Sequence, residues 1–99
     1  MAYICVIDNN FTNSCNIVIS HTIIKSAHLV IKVSDKKAND ICNAIIEHLI
    51  YKHYKIKRYI YTNNFYYDCT YEIISFVKLS LDSKDYEFID PKKSYFCCF

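Results

Sequence analysis

Six cysteines and four histidines in 99 residues are the side chains best equipped for chemistry, and they raise zinc first. A Cys-x5-His spacing occurs twice, at Cys15–His21 and Cys42–His48. Neither spacing suits a metal. Six residues along a helix turn through about 600°, so Cys42 and His48 leave on different faces. Along a strand Cys15 and His21 lie about 20 Å apart. Zinc wants four ligands at roughly 2.0–2.3 Å, commonly supplied as close cysteine pairs. Cys97-Cys98 is the one close pair and has no second pair to meet. Cys5, Cys15, Cys42 and Cys69 read instead as buried thiols acting as small hydrophobes.

Nucleophilic catalysis finds no local mark either. A Cys–His couple needs a base oriented by a third group, and no motif sets one out. His21 falls on an apolar strand face and reads as a core histidine; His48 and His53 close a helix; His28 faces away from the core. No catalytic residue, cofactor or metal is expected. The chain has no glycine, which excludes phosphate-cradling loops whose backbone must approach the ligand closely.

The stretch Tyr51 to Tyr61 carries a different chemistry. It interleaves rings with cations, the combination that binds single-stranded nucleic acid by stacking and phosphate contact. Its candidate residues are Lys52, Lys55, Lys57, Arg58, Tyr59 and Tyr61. Two of the lysines have a structural reason, since Lys52 and Lys55 complement the negative end of a helix. Strand alternation splits the rest, placing Lys57, Tyr59 and Tyr61 on one face and Arg58 on the other. A net charge of +2 gives no global basic field.

Composition explains part of this pattern. Phe, Tyr, Met, Ile, Asn and Lys, the residues of AT-rich codons, number 52, against six for Gly, Ala, Arg and Pro. Lys, Asn and Tyr are therefore default letters, and their clusters carry less information. The same bias points to an AT-rich genome, such as that of a large DNA virus, a protozoan parasite or an AT-rich bacterium. At 53% apolar and 22% charged, the chain has the material for one core. No apolar run is long enough to span a bilayer, and no basic segment precedes the apolar Ala2–Ile7 stretch to make a secretory signal. A cytoplasmic or nuclear setting with reduced thiols follows.

The elements that must position these residues are legible in outline. Tyr3 to Ile7 is a continuous apolar run, suited to a central strand buried on both faces. Cys15 to Ile24 and Ala27 to Val33 alternate, and their short Lys25-Ser26 link suggests an antiparallel hairpin. Ser34 is an N-cap residue, and Asp35 favours the positive end of a helix. Ala38, Ile41, Cys42, Ile45, Ile46 and Leu49 then recur at helical spacing, with Lys36, Asp40, Asn43 and Glu47 opposite. Ile56–Thr62 and Phe65–Tyr71 flank Asn63-Asn64 as a second hairpin. Tyr71–Leu81 fits a strand or a helix, and its β-branched and aromatic content favours strand. Tyr86–Ile89 is a short last strand before Asp90-Pro91.

These elements predict an α+β fold: a mainly antiparallel sheet with one long helix on one face, in the order βββαββ(β). Residues 1–91 form one globular domain, with 92–99 as a short tail. A 27-residue echo between Cys15–Lys25 and Cys42–Lys52 reads as chance, because one copy suits a strand and the other a helix. Ten tyrosines and six phenylalanines exceed what one small core hides, and exposed tyrosine favours interfaces. The expected function is a non-catalytic, intracellular protein-interaction module, of viral accessory or host-interaction type. Its partner would be another protein, including a second copy of itself. Single-stranded nucleic-acid binding through the Lys/Arg/Tyr patch is the alternative.

Overall fold

The computed structural model describes residues 1–9, 14–53 and 63–92. Its elements are β1 (Ala2–Asn9), β2 (Ser14–Ser20), β3 (Leu29–Val33), α1 (Asp35–His53), α2 (Asn63–Ser80) and β4 (Tyr86–Ile89). The strands form one antiparallel sheet in the order β2-β1-β3-β4. This is the α+β class, with an antiparallel sheet packed by helices.

β1 sits inside the sheet because its run of apolar residues satisfies both faces. Ile4 and Val6 point to the helices, Cys5 points to the other side, and all three are fully buried. Helix α1 starts after Ser34, whose carbonyl accepts the Lys37 amide at 3.2 Å. Ala38, Ile41, Cys42 and Ile45 are buried beneath it, with Ile46 and Leu49 packed at the margin, while Lys36, Asp40, Asn43 and Glu47 stay exposed. Each fully buried Ile or Val contributes about 1.5–3 kcal/mol relative to exposure.

Two expectations are corrected. The first concerns the strand pairing. β2 pairs with β1, not with β3, and β3 lies on the far side of β1. Residues 21–28 therefore form a strap that crosses β1 instead of a hairpin turn. The strap leaves β2 opposite Tyr3 and enters β3 opposite Val6. It moves only about 10 Å along the strands and about 10 Å across them, which eight residues reach with ease. The strap is tied at both ends. Ser20 Oγ accepts the Thr22 amide at 3.2 Å, Ile24 O accepts the Ala27 amide at 3.0 Å, and Val6 O accepts the His28 amide at 2.8 Å. Ile23, Ile24 and Ala27 then cover Cys5 and Val30, a small second core. β2 ends at Ser20, so His21 lies on the exposed strap and not in a core.

The second correction concerns residues 63–81. Asn63-Asn64 open α2 instead of turning a hairpin, and Phe65–Tyr71 is helical, as is Tyr71–Ser80. The proposed strand Ile56–Thr62 lies outside the described residues. Burial explains why strand propensity lost. Four strands at about 4.8 Å spacing are wider than one helix of about 10 Å diameter. A second helix is needed to cover Leu29, Ile31, Val33 and Phe88. Ile73 and Val77, four residues apart, are fully buried in the same core cluster as Leu29, Ile31 and Val33, with Ile74, Phe76, Leu81 and Phe88 packed against it.

The short last strand falls at Tyr86–Ile89, as its residues predict. Asp82–Asp85 turns, with Asp82 O accepting the Asp85 amide at 2.9 Å, and β4 then pairs with β3. Lys37 on α1 reaches Asp85 at 3.0 Å, a surface tie between helix and turn.

Ser75 is exposed in the middle of α2. Ser75→Pro should lower stability by about 3 kcal/mol or more, through the lost helical bond and the clash with the preceding turn. Urea unfolding measures this, and a loss below about 1 kcal/mol would contradict a helix there.

Candidate functional site

Among the described residues, the seam between α1 and α2 and the outer edge of β2 each bring together groups able to act on something else. In the seam, His48 Nε2 lies 3.0 Å from Glu72 Oε1. A carboxylate oxygen accepts, so Nε2 donates. The imidazole also stacks on Phe76, with ring centroids 4.4 Å apart and planes at 22°. Both side chains remain partly exposed. Ala44, Glu47, Tyr51 and Phe76 border them around an open groove of about 610 Å³.

This pair has half of a catalytic arrangement, a histidine held by a carboxylate. The other half is missing among the described residues, where no hydroxyl or thiol is hydrogen-bonded to His48. Its geometry suits a clamp between two helices. A partly exposed pair of this kind contributes little, about 0–1 kcal/mol, and the stacked ring adds comparably.

The buried thiols offer no nucleophile. Cys5 and Cys42 are both free and buried, on opposite faces of the sheet. Burial raises the Cys42 thiol above its ordinary value of 9.0. Cys5 is raised for the same reason, offset in part by a backbone hydrogen bond with Ile24. Nucleophilic cysteines need the opposite shift. Among the described residues no three His, Cys, Asp or Glu side chains are grouped to hold a metal ion. No described helix is long and apolar enough to cross a membrane.

The basic, aromatic candidates are not assembled into a described site. The backbone of Lys52 belongs to the last turn of α1, and its side chain lies outside the described residues. Lys55, Lys57, Arg58, Tyr59 and Tyr61 also lie outside them.

The sheet edges differ sharply. β4 is four residues long, carries exposed Glu87, and is followed at once by Asp90-Pro91. Short length, charge and proline are the usual guards of an edge strand. β2, at the other edge, has seven residues, Ser-Cys-Asn-Ile-Val-Ile-Ser, with no charge and no proline. Val18 and Ile19 are each 37% exposed on its two faces, while Ile17 is half-buried against the main core. Among the described residues the helices also expose Tyr51, Tyr71 and Leu79.

No family model, curated protein or solved structure matches this chain.

Neither place was singled out by sequence. Glu72 and Phe76 are four apart and face His48 only once 63–80 is helical. The bare character of β2 is visible in its letters, but a hairpin with β3 would have left a different edge open.

Two measurements follow. A double-mutant cycle of His48→Ala and Glu72→Ala should give a coupling of about 0.2–1 kcal/mol in urea unfolding; a coupling above about 2 kcal/mol would mark a buried network instead. Cys42 has a raised folded pKa, so its contribution to stability is full below pH 9.0 and is lost as pH rises above it. Between about pH 8 and about pH 10, wild type should therefore lose more stability than Cys42→Ala. Equal losses would show that Cys42 is not desolvated.

Proposed function

We propose that this chain is a small, non-catalytic, intracellular protein-interaction module whose interface is the outer edge of β2. The observation that carries this reading is the contrast between the edges among the described residues: β4 is short and guarded, β2 longer and unguarded. An open edge offers unpaired backbone donors and acceptors to a strand from another protein, and neighbouring apolar side chains add affinity. Val18 and Ile19 supply those side chains. The free thiols Cys5 and Cys42 suit a reducing compartment, in the cytoplasm or nucleus. The AT-rich residue bias supports an accessory role in a virus with such a genome. The chain would act by adding its sheet to that of a partner, another protein or a second copy.

A photo-crosslinking residue placed at Val18, and separately at Glu87 as the guarded-edge control, tests the interface in cells. Adducts from position 18 and none from position 87 are expected. Equal adducts from both edges, or none from either, would overturn the assignment.

A further inference from the structure

The open edge of β2 has a definite phase, and the phase selects a partner. Val6 O accepts the His28 amide at the start of β3. Val6 therefore directs its main chain toward β3. Backbone direction alternates along an antiparallel strand, so Cys5 and Ile7 direct theirs toward β2. Their opposite numbers are Val18 and Asn16, and Ser20 joins them opposite Tyr3. The even residues of β2 are thereby committed to β1. The odd residues, Cys15, Ile17 and Ile19, present their amides and carbonyls outward.

Resting on the reading of β2 as the interface, we infer that its partner is β2 of a second copy, antiparallel, with the two-fold axis through Ile17. This register is the one that uses every outward group of the strand. Cys15 faces the second copy's Ile19, Ile17 faces its own copy, and Ile19 faces Cys15, giving six main-chain hydrogen bonds. Serines meet at both ends, Ser14 opposite Ser20. Sliding the pair by two residues leaves outward groups unmatched, and sliding it by one sets outward groups against committed ones.

The side chains agree with the backbone. The strand has no charge, so self-pairing sets no like charges opposite each other. The same operation on β4 would bring Glu87 close to its own copy within a strand of four residues. Asn16 and Val18 of the two copies face each other on the strap side, in the closer non-hydrogen-bonded class of pair, about 4.5 Å between Cα atoms. The product is one continuous eight-stranded sheet, with the guarded β4 edges at its two ends. The contact is essentially one strand wide, which is small for a stable interface, so the association depends on concentration.

Charge placed at Asn16 and Val18 reads the register. Both side chains are exposed, so the folded chain accepts the changes. The variant Asn16→Lys with Val18→Glu sets Lys opposite Glu twice across the axis. The variant Asn16→Lys with Val18→Lys sets Lys opposite Lys twice. Light scattering over a concentration series should give wild type and the Lys/Glu variant a mass approaching twice the 11.7 kDa chain. The Lys/Lys variant should associate about tenfold more weakly or worse. Residue-level hydrogen exchange should give Ile17 and Ile19 amides protection that rises with concentration, while Asn16 and Val18 are protected throughout. Thermal melts of both variants control for folding. A wild-type monomer at every concentration, a dimer indifferent to Lys/Lys, or a monomeric Lys/Glu variant would each overturn the proposed pairing. Crosslinks from position 18 to other proteins alone would refute the second copy as partner while leaving the β2 interface standing.

Discussion

The fold depends on a strand that must be covered twice. Ile4 and Val6 on one side of β1 and Cys5 on the other are all withdrawn from water. A strand with apolar residues on both faces cannot lie on the surface of a sheet that is open on one side. Two helices supply one cover and the strap of residues 21–28 supplies the other. The order β2-β1-β3-β4 then follows, because the strap reaches the back of β1 only if β2 and β3 flank it. Covering the sheet also decides how the molecule meets its surroundings. Among the described residues both faces are covered, and the outer edge of β2 is left without a strand partner.

Parts of this were written plainly in the residues. The apolar stripe of α1, its polar back, the central place of β1 and the short β4 all follow from spacing, because each side chain's neighbours lie within its own element. The second helix was hidden for a physical reason. Tyr71 to Leu81 holds Ile, Phe, Val and Tyr in an order that serves period two and period 3.6 alike. Only the width of the sheet, a property of four separate segments, decides between them. The strap was hidden in the same way, since the short interval between β2 and β3 suits a turn unless a third strand already lies between them. The candidate surfaces inherit both difficulties. His48 meets Glu72 only across two helices, and the vacant edge of β2 is apparent only when its one partner is known.

The basic, aromatic stretch at residues 51–61 is built from letters that are common throughout this chain. Lysine and tyrosine are frequent here in step with the AT-rich residue bias. The absence of charge from Ser14–Ser20 is the more informative signal. In a chain where 22% of residues are charged, a bare strand placed at the rim departs from the usual defence against unwanted pairing.

The position of β4 has a consequence for how the molecule is made. Val30 pairs with Ile89, 59 residues further along the chain. During synthesis β1, β2 and the strap can assemble early, and β3 can dock beside β1. The outer side of β3 then stays bare until both helices and the following turn have left the ribosome. Closing so long a loop is an entropic cost met late. Until then the nascent sheet has two sticky rims, and among the described residues of the finished molecule the rim at β2 remains. The last strand is thus a stopper, short and acidic, fitted to the rim that would otherwise invite aggregation.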